Sequence, residues 1–137
     1  MVLALRAAAR RGVRVVLVVP RRSDHPVVEA AGSFYLHYLA QFGVQVYFYG
    51  DGMLHSKTLV IDDAMAMFGS ANYDIRSFAL NFELNLLLHS HQAVADLHAL
   101  QQYYIQRSQP ASADDWPEAT LLGRLKVNLA KLASPLL

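Results

Sequence analysis

Apolar residues along the chain follow two different periods, which predict an alternation of helices and strands. Positions that recur roughly every three or four residues indicate helices, and compact β-branched or alternating runs indicate strands. The sequence thus predicts helices over Val2–Arg11, Val27–Phe42, His91–Arg107 and roughly Glu118–Ala133. It predicts strands over Val13–Val19, Val44–Tyr49, Leu54–Ile61, Met65–Phe68 and Asn81–Leu88.

The order of these elements predicts an α/β fold. Two helix–strand pairs come first, three further strands follow, and two helices close the chain. The β-branched run Val13–Val19 is typical of a strand covered on both faces. Gly12 and Gly43 are placed to end the first two helices. With 137 residues, we expect a single domain over 1–137, a mixed β-sheet flanked by helices.

Composition narrows the function classes. The chain is 54% hydrophobic and 17% charged, with a formal net charge of +1. Such a chain can bury a real core, and its charge is too balanced for nucleic-acid binding through bulk charge. Cysteine is absent, which excludes a disulfide framework, a thiolate nucleophile and cysteine-based zinc sites. No run reaches the ~18 apolar residues of a membrane span, so no transmembrane segment is predicted.

The stretch "HSKTLVIDDAMAMFGSAN" carries polar residues in otherwise apolar chain. Residues two apart on a strand point to the same face, so His55 and Lys57 are predicted to project side by side. After the next strand, Gly69 permits a tight turn or a close approach of the backbone to a ligand. Ser70 and Asn72, again two apart, can then present a hydroxyl and an amide together.

These groups suit a phosphate. The lysine and the asparagine can hold non-bridging oxygens, and their attraction grows as charge develops in the transition state. The imidazole can attack phosphorus or protonate a leaving oxygen, because it titrates near neutral pH. Glu83, on the neighbouring predicted strand, could orient the imidazole as the third member of a triad does.

The spacing His55-x-Lys57-x4-Asp62-x6-Gly69-Ser70-x-Asn72 matches the full HKD motif of the phospholipase D superfamily, here within about residues 49–76. Within that superfamily the chain most resembles the C-terminal half of bacterial cardiolipin synthases. The flanking stretches "AARRGV", "RSDHP", "GVQVY", "GSANYDIRSFALNFELNL" and "LAKLASPLL" carry this second resemblance.

The resemblance implies one half of a two-fold phospholipase D-like domain, in which the histidines of two HKD motifs face each other. One histidine becomes a phosphohistidine, and the other, here expected to be His55, acts as general acid and base. Lys57, Asn72 and Ser70 match the phosphate-binding residues of the motif. Asp62 matches the motif aspartate, with a structural role at a strand-end turn, and Glu83 matches the acidic partner of the histidine. The candidate catalytic residues are His55, Lys57, Asp62 and Glu83, and the candidate phosphate-binding residues are Lys57, Ser70 and Asn72. No metal and no cofactor are implied.

Only one HKD motif is present, because none of the other histidines has a lysine two residues later. The chain should therefore hold half an active site, completed by a second HKD half. That half is either a missing N-terminal domain, favoured by the uncapped helical start, or a homodimer partner. The implied reaction joins two phosphatidylglycerol molecules and releases glycerol through a phosphohistidine. The implied location is the bacterial cell membrane, on its cytoplasmic side or peripherally, and no nucleic-acid partner is expected.

Other interpretations stay open. The chain could be a homodimeric one-motif phosphodiesterase or nuclease, or a catalytically silent fragment. Lys57 could simply extend from a strand end to solvent, and Glu83 could be a charge on the rim of the sheet. The C-terminal helix has a leucine face with basic flanks, which fits peripheral membrane contact. The same pattern fits docking on its own domain, which we favour.

Overall fold

The structure, a computed structural model, describes residues 1–21, 26–72 and 82–116, with the backbone alone over 26–31. In chain order the elements are α1 (Val2–Arg10), β1 (Val16–Pro20), α2 (Pro26–Ala40), β2 (Gln45–Tyr49), β3 (Lys57–Ile61), β4 (Met65–Gly69), β5 (Asn85–Leu88), α3 (His91–Gln106) and β6 (Ser108–Pro110). The predicted helix Glu118–Ala133 lies outside the described residues. The chain divides into two compact units: the motif unit, Leu54–Arg107, and the flanking unit, Met1–Met53 with Ser108–Leu137.

The flanking unit contains a three-stranded mixed sheet in the order β1-β2-β6. The strands β1 and β2 run parallel, with Val18 opposite Tyr47, and α2 is the connection between them. The short β6 pairs antiparallel with β2. No strand was predicted from the sequence over residues 108–110, so β6 was missed. Three residues without an apolar pattern do not indicate a strand, and β6 forms because these residues pair with the edge of β2.

The core of the flanking unit forms where α2 meets β2. Leu39, Val44 and Val46 are buried there, and Leu5 of α1 packs against them. The chain leaves α2 through Gly43, whose φ of 90° is left-handed. Its neighbour Val44 donates its N–H to the Leu39 carbonyl at 3.2 Å. Glycine is favoured at such a helix end because it has no Cβ to clash, which confirms the predicted stop.

The motif unit contains an antiparallel sheet in the order β3-β4-β5. Ala66 of β4 and Val94 of α3 are both only 1% exposed. Gln101 of α3 also donates a hydrogen bond of 3.1 Å to the Thr58 hydroxyl of β3. Thr58 and Ala66 point to one face of the sheet, so α3 covers that face.

The hairpin between β3 and β4 turns at two aspartates. Asp62 and Asp63 have φ values of 51° and 53°, and the Ala64 N–H donates to the Ile61 carbonyl at 3.1 Å. Aspartate tolerates this left-handed conformation better than most residues, and two such residues fit the twist of a hairpin. The turn predicted at Asp62 is confirmed.

The α/β class is confirmed, while several strand limits differ from prediction. The strands described form two three-stranded sheets. The predicted strands Val13–Val19 and Leu54–Ile61 begin later, at Val16 and Lys57. The reason for the second difference is the register: β4 ends at Gly69, opposite Lys57. Residues 54–56 consequently have no partner in β4.

Candidate active site

The last row of the motif-unit sheet is Lys57–Gly69–Asn85, one residue from each strand. In this antiparallel sheet the start of β3, the end of β4 and the start of β5 lie at the same end. His55 comes two residues before β3, and Ser70 directly follows β4. The fold thus brings segments that are distant in sequence to one end of one sheet.

The sequence predicted His55 and Lys57 on one strand, but in the structure only Lys57 belongs to β3. His55 is exposed and lies in the irregular segment before β3, so the alternation of a strand does not set its direction. The Lys57 ammonium donates a hydrogen bond of 3.1 Å to the His55 carbonyl oxygen. The lysine therefore contacts the backbone of the histidine, which links the two positions at the mouth of the sheet.

Lys57 is half-buried, and its charge is set by two opposing effects. Burial lowers the pKa of its ammonium, and the nearby Glu83 carboxylate acts in the other direction. Burial disfavours the charged form because it removes water from the ammonium. An arriving phosphate would supply negative charge to the lysine and favour that charged form.

Ser70 and Glu83 form the tightest polar contact of the site. The Ser70 hydroxyl donates to a Glu83 carboxylate oxygen at 2.5 Å and accepts the Leu84 N–H at 3.0 Å. The Ser70 N–H also donates to the Leu84 carbonyl at 3.0 Å. Ser70 thus fixes the chain that leads into β5 and holds the Glu83 carboxylate. The expected roles of Ser70 toward phosphate and of Glu83 toward the histidine stay predictions.

Gly69 is required by the contact between β4 and β5. A Cβ built at Gly69 would overlap the Asn85 side-chain oxygen and the Leu84 carbonyl oxygen, and it would lie 2.8 Å from the Asn85 Cα. The sequence predicted a tight turn or a close approach to a ligand at this glycine. The structure shows instead a close approach between two strands.

Asn85 was missed by the sequence analysis. It lies in the same row as Lys57, and the two side chains share one face of the sheet because residues directly opposite each other point the same way. A signal was available in "ELN", since Glu83 and Asn85 are two residues apart, as are His55 and Lys57. Asn85 adds an amide to the polar end of the sheet.

Asn72 and Asp62 complete the predicted set. Asn72 is exposed and follows Ala71, which is only 3% exposed and anchors this segment. Asp62 lies at the opposite end of β3 from Lys57, about 16 Å away at the usual rise of a strand. The structure therefore groups five of the six predicted residues at one end and places Asp62 in the remote turn.

The described part of the chain contains no group of three or more His, Cys, Asp or Glu side chains that could hold a metal ion. What it does contain is a cation, two amides and an imidazole at one end of a sheet. Such a set can bind the oxygens of a phosphate and exchange a proton with a leaving or attacking group.

A family model described as "Cardiolipin synthase, PLD-like domain" matches residues 1–104. The chain belongs to this phospholipase D-like family. Cardiolipin synthase 1 of Staphylococcus aureus is 37% identical over 134 residues, which are 98% of this chain and 27% of that protein. Cardiolipin synthase 2 of Staphylococcus epidermidis is 40% identical over 136 residues, with coverages of 97% and 27%. The chain thus spans about a quarter of the length of these relatives.

Structural comparison agrees on the phospholipase D-like fold. Nuc from Salmonella typhimurium, a phospholipase D family member, superposes with a TM-score of 0.72 at 20% identity, covering 82% of this chain and 73% of Nuc. The family resemblance drawn from the HKD motif and its flanks is confirmed. Within the described residues, no helix combines the length and the hydropathy needed to cross a bilayer.

Proposed function

We propose that residues 1–137 form one HKD domain, with its motif at about 49–76, that contributes half of the active site of a phospholipase D-type phosphatidyltransferase. The observation that carries this proposal is the grouping of His55, Lys57, Ser70, Asn72 and Glu83 at one end of the motif-unit sheet. Relatives named cardiolipin synthase, 37–40% identical over nearly the whole chain, support it.

The proposed chemistry needs two histidines. The nucleophilic imidazole of one HKD half attacks the phosphorus of a first phosphatidylglycerol, and the bond to the glycerol oxygen breaks. The second imidazole, here His55, donates the proton that glycerol carries away. It then accepts a proton from the hydroxyl of a second phosphatidylglycerol, whose oxygen attacks the phosphohistidine to give cardiolipin. This second attack breaks the phosphorus–nitrogen bond and leaves the nucleophilic histidine free again.

Lys57 and Asn72 are the proposed phosphate-binding residues. An ammonium and an amide placed before the reaction stabilise the charge that grows on the non-bridging oxygens, and one such donor is typically worth about 3–4 kcal/mol. Ser70 supports the same phosphate through its hydroxyl. Glu83 orients an imidazole, and Asp62 acts through the turn at the far end of β3. This assignment requires neither a metal nor a cofactor.

The partners follow from the chemistry. The substrate is phosphatidylglycerol, the second HKD half comes from a longer polypeptide that contains this domain, and the reaction takes place at the bacterial cell membrane. A peripheral, cytoplasmic-side position fits a substrate that is presented by a bilayer. The coverage of only 27% of S. aureus cardiolipin synthase 1 leaves room for a second half in a protein of that size.

The test is reconstitution. The chain is mixed over a range of concentrations with a separately expressed N-terminal HKD half and with phosphatidylglycerol vesicles, and cardiolipin and glycerol are quantified by mass spectrometry. We expect equal amounts of both products only when the two halves are present. Failure of the assembled pair to release glycerol would contradict the proposal.

The homodimeric one-motif phosphodiesterase is kept as a second candidate because the chain covers 73% of Nuc at the level of the fold. It predicts activity of the chain alone that rises with the square of its concentration. A generic diester such as bis-p-nitrophenyl phosphate, measured beside sedimentation, separates the two candidates. A chain inactive under both conditions would indicate a silent fragment.

A further inference from the structure

A groove of about 270 Å³ lies between α1 and α2 of the flanking unit, and the proposed chemistry does not use it. It is lined by Val2, Leu3, Phe34, Tyr35 and Tyr38, and all these side chains are apolar or aromatic. We call it the basic–aromatic groove, because Arg6 of α1 lies beside the aromatic side chain of Tyr38.

The groove exposes apolar surface that the flanking unit does not cover. Leu5 and Ala9 of α1 pack against the core, while Leu3 is 67% exposed. Tyr35 of α2 is 40% exposed, and Met1 beside α1 is 50% exposed. Single exposed apolar residues are ordinary, but a grouped set around a groove marks a binding surface.

Arg6 of α1 borders the groove through Tyr38, and Arg10 follows one turn later on the same side of α1. The Arg6 guanidinium lies 5.7 Å from the Tyr38 ring centre and 5.4 Å from that of Phe42, and it donates to the Tyr38 hydroxyl. The Arg10 guanidinium lies 6.0 Å from the Phe42 ring centre. The Tyr38 ring thus holds the Arg6 guanidinium beside the apolar opening, and Arg10 adds a second positive charge one turn further along α1.

Acidic side chains are absent from the part of α1 and α2 whose side chains the structure describes. Residues 1–14 contain four arginines and no aspartate or glutamate, and none of the α2 side chains that the structure describes is acidic. The positive charge therefore accumulates locally, although the whole chain carries a net charge of only +1. A partner with negative charge beside apolar surface complements this arrangement.

We propose that the basic–aromatic groove is a docking surface for the anionic surface of a phospholipid bilayer. Leu3 and Met1 would enter the boundary between headgroups and acyl chains, and Tyr35 would lie at the headgroup level, where tyrosine is favoured. Arg6 and Arg10 would contact lipid phosphates, each such residue strengthening binding about fivefold. Nucleic acid fits less well, because it offers no apolar phase for exposed aliphatic side chains.

This inference concerns binding alone, so it holds or fails independently of the phosphatidyltransferase proposal. It also differs from the membrane contact that the sequence suggested for the C-terminal helix, which lies outside the described residues. The two surfaces are separable by substitution, because Leu125 belongs to that helix and Leu3 to the groove.

The absence of cysteine from the chain allows a site-specific test. Leu3→Cys carries an environment-sensitive fluorophore, and Val13→Cys is the matched control, since Val13 is 46% exposed and does not line the groove. On vesicles of mixed phosphatidylglycerol and phosphatidylcholine, we expect a blue shift from the label at Leu3 and none from the control. Circular dichroism verifies the fold of both variants.

A second experiment replaces an arginine by glutamate and measures vesicle binding. Arg10→Glu should weaken vesicle binding at least tenfold, and raising the salt concentration should weaken wild-type binding. Arg14→Glu is the control with the same change of net charge, because Arg14 contacts Gln45 at 3.4 Å rather than the groove. We expect its effect to be below threefold.

Several results would overturn the proposal. One is equal binding to pure phosphatidylcholine vesicles, and another is equal loss with Arg10→Glu and Arg14→Glu. A third is loss of binding with Leu125→Glu while the groove variants bind normally. A label at Leu3 that responds to nucleic acid, to an added HKD half or to protein concentration, but not to vesicles, would assign the groove to that partner instead.

Discussion

Replacing Gly69 by alanine tests the geometry on which the candidate site rests. The added Cβ would overlap the Leu84 carbonyl oxygen and the Asn85 side chain and come within 2.8 Å of the Asn85 Cα. Two of these three atoms belong to the backbone, which cannot rotate away. The strands β4 and β5 would have to separate at the row that contains Lys57.

The expected cost has two parts. Forcing a methyl group into packed structure typically costs about 1–3 kcal/mol. Separation would also weaken the two 3.0 Å hydrogen bonds between Ser70 and Leu84, each worth about 1 kcal/mol. We therefore expect Gly69→Ala to lower the free energy of unfolding by about 2–4 kcal/mol and Tm by roughly 5–15 °C.

Gly50→Ala is the matched control, because a Cβ at Gly50 meets no atom within 4 Å. Thermal denaturation followed by circular dichroism compares both variants, and hydrogen exchange at the Ser70 and Leu84 amides reports local separation. In the reconstituted enzyme, Gly69→Ala should also reduce turnover, since Ser70 and Asn72 follow directly. An unchanged Tm and slow exchange at both amides in Gly69→Ala would refute the close approach of the two strands.

Three further predictions concern charge. Lys57→Met should reduce turnover of the assembled enzyme by about 10²–10³-fold. It should not lower Tm, because burial lowers the pKa of Lys57 and the protonated side chain therefore disfavours folding at neutral pH; a large drop in Tm would contradict this. The pKa of the Asp115 carboxyl is lowered, mainly by the hydrogen bond that it accepts from the Ser112 N–H at 2.8 Å. The Ser112 hydroxyl and Arg21 lower this pKa further. A carboxyl with a lowered pKa stabilises the fold above its unfolded pKa, and this contribution is lost as pH falls through the lowered pKa of the folded state. Asp115→Asn should thus lower the free energy of unfolding more at pH 7 than in acid, measured by denaturant titration at both pH values. EDTA should leave reconstituted activity unchanged, and loss of activity that a divalent ion restores would contradict a phosphohistidine mechanism.

Much of the fold was accessible from the sequence because local patterns determine it. The helix predicted over His91–Arg107 is observed as His91–Gln106, and the turn at Asp62 follows from residues that tolerate a left-handed backbone. The first and last residues of the strands were harder to predict from the sequence. Lys57 begins β3 only because Gly69 is the last residue of β4, and no local pattern reveals where a partner strand ends.

Part of the candidate site could likewise be predicted from local sequence, and part could not. The HKD spacing identified His55, Lys57, Ser70 and Asn72 as a group, and the antiparallel sheet places their segments at one end. The contact between Ser70 and Glu83 joins residues 13 apart in sequence and depends on the register of β4 and β5. Asn85 enters the site through the same register, so neither feature could be derived from motif spacing.

The most direct test of the central claim is the yield of cardiolipin from the fully assembled enzyme when the chain carries His55→Ala. The control is His89→Ala, an exposed histidine that follows the opposite end of β5. Sedimentation and thermal denaturation must first show normal assembly and folding of both variants. We predict that His55→Ala abolishes formation of cardiolipin and that His89→Ala retains wild-type yield. Near wild-type yield from an assembled His55→Ala enzyme would contradict the claim that this chain supplies a catalytic histidine.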